Sequence, residues 1–178
     1  LRPFMRGDAD AVCGWFPDEK VFHLWSAGKL PGFPLQAEEL NAYYDRNADG
    51  SLWAFTAFDG DGAAGHVMMR YLDEERREIR LGLIVVAGDR RGRGYGRELV
   101  SMAARYAFDF AGARRVTILV FLENPSAIRC YEACGFRMTA GREPEKFPCM
   151  GEEWRLAEME LVKTEAYDTK DCYDRYCI

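Results

Sequence analysis

The run Leu81-Gly82-Leu83-Ile84-Val85-Val86, followed after three residues by Arg90-Arg91-Gly92-Arg93-Gly94-Tyr95-Gly96, decides how this chain is read. The first part is strand-forming. The second is glycine-rich, and an apolar-periodic stretch from Gly94 to about Ala111 follows it. The order is strand, tight turn, helix. Glycines at 92, 94 and 96 carry no Cβ, so the backbone there can bend sharply and come close to a ligand. The first N–H groups of a helix have no partner within it, and the helix dipole adds positive potential. Together they make a site for an anion, most naturally a pyrophosphate.

Three kinds of phosphate loop compete for this stretch. A Walker loop ends in Gly-Lys-Ser or Gly-Lys-Thr; this one ends Gly96-Arg97-Glu98. A dinucleotide fold needs Gly-x-Gly-x-x-Gly, but Gly92-x-Gly94 is followed by Arg97. What remains, Arg91-x-x-Gly94-x-Gly96, resembles the coenzyme loop of the GCN5-related N-acetyltransferase (GNAT) superfamily. A plain strand-to-helix turn with surface arginines is the other reading.

A second motif lies downstream. Asn124-Pro125-Ser126-Ala127-Ile128-Arg129-Cys130-Tyr131-Glu132-Ala133-Cys134-Gly135-Phe136 resembles the other GNAT signature, an Asn, a Tyr seven residues on, then Gly-Phe. The two motifs occur in the family's order with a strand between them. The resemblance covers about residues 50–162. It implies a mixed α/β fold with a splayed central sheet of six or seven strands flanked by about four helices. Residues 1–162 then form one domain, with 1–50 as acceptor-side helices and 51–162 as the acetyl-coenzyme A core. Residues 163–178 are left as a polar tail.

The implied site follows residue by residue. The backbone of Ile84 and Val86 holds the pantetheine and thioester. The loop Arg91, Gly92, Arg93, Gly94, Tyr95, Gly96 and Arg97 holds the pyrophosphate. Asn124 and Ser126 border the other wall, and Tyr131 points its hydroxyl at the coenzyme sulfur. The implied activity is N-acetylation of a primary amine, on a small molecule or a peptide N-terminus, by direct attack in a ternary complex. Acetyl-coenzyme A is the co-substrate. A non-catalytic acyl-coenzyme A sensor of the same fold is the alternative.

The chemistry is general. An amine attacking a thioester builds charge on oxygen, which an unpaired strand amide can stabilise. The departing thiolate needs a proton, and a phenol of pKa about 10 keeps one at neutral pH. The base is less legible. Some members of the family carry a catalytic Glu where Arg80 stands, and others where Leu119 stands. Glu78, two residues before Arg80 and on the same strand face, is the candidate. A surface carboxylate is its plainer reading. Asn124 before Pro125 also suits a helix cap, and Tyr131 also suits a core position.

The remaining sequence sets bounds. The chain has 178 residues, 48% of them hydrophobic, and a formal charge of −5. That composition suits one domain with a real core. The acidic balance argues against nucleic acid or an anionic membrane as main partner. With no long apolar stretch, the cytoplasm is the expected location. A homodimer is left open. The cysteines at 13, 130, 134, 149, 172 and 177 lack the usual close metal-binding spacing, so free thiols and no metal are expected.

Hydrophobic pattern and breakers give the elements. Strands are expected at 2–5, 51–58, 63–72, 78–86, 115–122, from Phe136 onward, and 154–162. Helices are expected from Asp8 to about Phe16, after Pro17, at 37–44, after Gly94 and from Pro125 to Cys134. Val21, Leu24 and Trp25 are expected to share one helix face. Leu99, Met102, Ala103, Tyr106 and Phe110 are expected to form another. The acceptor is expected between the helices spanning Trp15 to Tyr44 and the loop Gly141–Glu153. Trp25, Phe33, Tyr43 and Tyr44 are candidates for an aromatic wall there, and Glu38, Glu39 and Glu145 for attracting a cation.

Overall fold

The computed structural model describes residues 1–163. These residues build an eight-stranded sheet and five α-helices. Strand β1 is Arg2–Pro3, followed by helices α1 (Ala9–Cys13), α2 (Glu19–Ser26) and α3 (Ala37–Arg46). Strands β2 (Leu52–Asp59), β3 (Gly62–Tyr71) and β4 (Glu78–Val86) form an antiparallel meander. Helix α4 (Tyr95–Asp109), strand β5 (Arg115–Phe121) and helix α5 (Pro125–Ala133) come next. Strands β6 (Arg137–Met138), β7 (Glu145–Cys149) and β8 (Glu152–Val162) complete the order. The sheet runs β1-β2-β3-β4-β5-β8-β6, with β7 also pairing β8.

The β2–β3 turn is tight for a local reason. Asp59 pairs with Gly62 across it, and the Asp61 N–H donates to Asp59 Oδ1 at 2.9 Å. Strands β4 and β5 are parallel neighbours, joined by α4, as the strand-helix-strand order requires. They pair from Glu78↔Arg115 only as far as Leu81↔Ile118. β4 then bulges against β3, where the register shifts between His66 and Met68. Leu83 sits in the left-handed region, with φ of 46°. The extra residue turns the strand over. Ile79 and Leu81 pack into the core beneath α4, whereas Leu83 and Val85 pack into the core beneath α1–α3.

Several expectations need correction. The buried face of α4 is Leu99, Val100, Ala103, Ala104, Ala107 and Phe108. Met102 and Tyr106 are only half-buried, and Phe110 is 82% exposed. On α2, Phe22 and Trp25 are buried, with Val21 and Leu24 at the edge. The first strand ends at Pro3, because the Met5 N–H donates to Asp8 Oδ2 and the chain turns into a short 3₁₀ segment at Arg6–Asp8. The stretch 141–153 is not all loop. Glu145–Cys149 forms β7, a hairpin with β8 through Met150 and Gly151, both with positive φ. Pro148 is tolerated because β7 pairs on one side only. The tail from residue 164, with Cys172 and Cys177, lies outside the described residues.

Candidate active site

Beyond Leu81 the two parallel strands part, and a cavity of about 610 Å³ opens between them. One wall is β4 from Gly82 to Val86, and the other is Ile118, Leu119 and Val120 of β5. Asn124, Ser126, Arg129 and Tyr131 flank the second wall, and Arg91, Gly92, Gly94, Gly96 and Arg97 close the mouth. Phe16 and Trp25 complete the lining from the N-terminal helices. Among the described residues, no Asp, Glu or His lines the cavity.

The glycines of the loop have different reasons. Gly92 and Gly94 have φ of 74° and 89°, where a Cβ is strained. Gly94 is the N-cap of α4 and supplies no side-chain acceptor. The N–H groups of the first turn therefore lack a side-chain cap. Gly96 serves packing. A Cβ there would stand 3.3 Å from Cys130 Sγ, so the missing side chain lets α4 close on α5.

The arginines also divide. Arg91 Nε donates to the Val86 carbonyl at 3.1 Å, and its Nη2 donates to the Trp15 carbonyl at 3.0 Å. That side chain ties the loop to the end of β4 and to the N-terminal helices. Arg97 and Arg129 line the cavity. Arg93 and Tyr95 do not. The Arg93 guanidinium lies over the Tyr95 ring, and the Tyr95 hydroxyl donates to Asp59 Oδ2 at 2.8 Å. Hydrogen bonds from Arg90, the Asp61 amide and Tyr95 hold the Asp59 carboxyl well below the usual carboxylate range.

Asn124 caps α5: its Oδ1 accepts from the Ala127 N–H at 3.2 Å and from Ser126 Oγ at 2.9 Å. Pro125 stands in the first helical turn, where a missing N–H costs nothing. α5 then carries Tyr131 to the cavity wall, where it is 8% exposed. Burial pushes its phenol pKa upward, and Cys130 and Cys134 push it further. The group keeps its proton at any physiological pH.

Glu78 is not brought to this cavity. It lies at the far end of β4 and pairs with Arg115 Nη1 at 2.7 Å. The register explains it, since the strands are still paired at Glu78 and part only after Leu81. Of the expected aromatic wall, Trp25 lines the cavity and the others do not. Tyr44 is hydrogen-bonded to His66 Nε2 at 2.6 Å, Tyr43 is core, and Phe33 packs on Phe22. Glu39 accepts from the Gln36 N–H and Glu145 pairs with Arg142. Sequence reasoning missed Arg129, although it follows Ser126 by three residues and so shares its helix face.

A family model for the acetyltransferase (GNAT) domain matches residues 1–137. A spermidine N(1)-acetyltransferase of Vibrio cholerae is 29% identical over 166 residues, covering 93% of each chain. A mycothiol acetyltransferase of Corynebacterium efficiens is 35% identical over 79 residues, 44% of this chain and 26% of that protein. Among solved structures, the Vibrio cholerae spermidine N-acetyltransferase in complex with CoA and spermine matches with a TM-score of 0.76 at 23% identity. That match covers 90% of this chain and 93% of that one.

Proposed function

The chain belongs to the GNAT acetyltransferase family and is an acetyl-coenzyme A-dependent N-acetyltransferase, and from that premise we propose how its residues divide the work. The thioester lies in the opening between β4 and β5. The observation that carries this reading is the parting of those strands after Leu81↔Ile118, beside a helix N-terminus with no side-chain cap. The backbone of Ile84 and Val86 holds the pantetheine arm. The amides from Gly92 to Arg97 hold the pyrophosphate, with Arg97 and Arg129 adding charge. Arg91 positions this loop, and Arg93 and Tyr95 contribute backbone alone.

A primary amine attacks the thioester carbonyl directly. Charge developing on oxygen is met by backbone N–H of β4 past the bulge, where β5 offers no ladder partner. The tetrahedral intermediate collapses and the coenzyme thiolate leaves. Tyr131, kept protonated by its surroundings, donates the proton. Asn124 fixes the first turn of the helix that presents Tyr131.

With no carboxylate or imidazole among the described residues that line the cavity, water carries away the proton of the incoming amine on this reading. This favours amines of low pKa. Freeing an amine of pKa near 8 at pH 7 costs about 1.4 kcal/mol, against about 4.6 kcal/mol for one near 10.4. The acceptor is a small molecule on this reading, supported by the spermidine enzyme that matches over 93% of its length. Helices α1–α3 form the acceptor side and residues 51–162 the coenzyme side of one domain. Among the described residues no helix is long and apolar enough to cross a membrane. Coenzyme thiol release across an amine panel tests the assignment. Release that depends on both acetyl-coenzyme A and an amine is expected; coenzyme binding without release from any amine would contradict it.

A further inference from the structure

The cavity is not confined to one face of the sheet. Its lining draws on two separate cores. Ile118, Val120 and Tyr131 belong to the core beneath α4, with Ile84 and Val86 packed against it. Phe16, Trp25, Leu83 and Val85 belong to the core beneath α1–α3, with Val21 packed against it. Alternate residues of a strand face opposite sides. The opening between β4 and β5 therefore passes through the sheet and has two mouths.

The mouths differ in chemistry. On the α4 and α5 side stand the glycine loop, Arg97, Arg129 and Tyr131, the half given above to the coenzyme. The N-terminal helices line the other side with Phe16, Val21, Leu24 and Trp25, all of them apolar. Their arrangement is built in. The Phe16 and Trp25 rings lie 4.4 Å apart at 35°, with Phe22 against both at 5.8 Å and 6.0 Å. Asp18 Oδ1 accepts from the Val21 N–H at 2.8 Å and starts α2. Val21, Leu24 and Trp25 then fall at three- and four-residue spacing, on one side of that helix. Val21 and Leu24 are only half-buried, so apolar surface is left uncovered at the cavity. Leu24 also packs against the small core of Phe121 and Trp154, which carries the wall on to β8.

An amine entering by this mouth meets hydrocarbon before it meets the thioester. A second ammonium drawn against these side chains would lose water and gain no partner from them. Glu38, Glu39 and Glu145 do not line the cavity. Glu39 accepts from the Gln36 N–H, and Glu145 pairs with Arg142.

We propose that the acceptor is a primary amine with a single charge and an apolar body, an aryl or branched alkyl group that lies on Phe16, Val21, Leu24 and Trp25. The inference rests on the acetyl-transfer reading above and names its substrate class. It sets this chain apart from the similar spermidine acetyltransferase of Vibrio cholerae.

The test compares kcat/KM among α-amino amides, which share one kind of reacting amine and differ in side chain. Leucinamide and phenylalaninamide should each lead serinamide and spermidine by about tenfold or more, the worth of burying such a side chain. Val21→Glu supplies a second readout. Val21 is the third residue of α2, where a carboxylate suits the helix N-terminus, so the helix should form. Coenzyme affinity by calorimetry should stay within about twofold, while the leucinamide-to-spermidine ratio falls about tenfold or more. Val21→Thr keeps the shape of the side chain and should move the ratio the same way. A ratio unchanged in both variants would overturn the apolar wall. If serinamide or spermidine leads, acetyl transfer stands and the apolar class is lost. If no amine releases thiol, the proposed function fails and this inference fails with it.

Discussion

Leu81 and Ile118 are the last residues to pair between β4 and β5, and the cavity opens where their pairing ends. The break is built into Leu83. A leucine in the left-handed region costs about 1–2 kcal/mol, and the bulge it belongs to turns β4 away from β5. Leu83→Val puts a β-branched residue where it is still more strained. We expect a lower Tm and coenzyme affinity weakened about tenfold, by calorimetry; an unchanged affinity would mean the bulge does not set the opening.

Tyr131→Phe removes one hydroxyl and leaves the ring that packs beside Phe136. If the phenol protonates the leaving thiolate, kcat should fall about 10²–10⁴-fold. The dissociation constant for coenzyme should stay within about twofold, since the proposed hold on the coenzyme is by the loop and β4. Steady-state rates and calorimetry on the same preparation check both. A large loss of affinity with kcat intact would make Tyr131 a packing residue.

Gly94→Val and Gly96→Ala separate the two jobs of glycine in the loop. At φ of 89° valine is strained, and its side chain would project at the N-terminus of α4. We expect coenzyme binding to be lost while the circular dichroism spectrum is kept. At Gly96 the added methyl meets Cys130 Sγ, so α4 and α5 must shift by a few tenths of an ångström. The expected result is a modest fall in Tm, about 1–3 kcal/mol of overpacking, with weaker but measurable binding.

Cys134 should be the reactive thiol of the described chain. A hydrogen bond from Cys130, opposed by burial and aided by Ser101 and the charge of Arg97, lowers its pKa from 9.0 to about 7. Its neighbour Cys130 is pushed in the opposite direction by the same contact and by burial. The thiolate is the nucleophile, so alkylation should accelerate as pH rises through about 7. Peptide mass spectrometry after timed iodoacetamide treatment reads this for each cysteine. Ser101→Ala should move the inflection upward; an inflection near 9 in the unaltered chain would refute the assignment.

Much of this was legible in the residues. Strands β2 to β5 declared themselves by β-branched and aromatic runs between turn residues. Gly94, Pro125 and Gly135 marked helix ends through backbone geometry that other residues adopt poorly. The loop and Tyr131 came with them, and the structure brings both to one cavity. What stayed hidden depends on partners distant in sequence. Leu99, Ala103 and Phe110 fit one helical stripe and Val100, Ala104, Ala107 and Phe108 an adjoining one, and only the sheet beneath α4 shows that the buried face takes in the second and leaves Phe110 out. Strand β7 was masked by Pro148, which an edge position excuses. The reach of Glu78 could not be judged until the register showed it paired with Arg115 and short of the opening.

The most direct test is a crystal structure of the chain with acetyl-coenzyme A bound. The account predicts the pyrophosphate against the main-chain nitrogens between Gly92 and Arg97, and the sulfur within about 3.5 Å of the Tyr131 hydroxyl. A pyrophosphate held elsewhere, or a Tyr131 hydroxyl turned away from the sulfur, would contradict it.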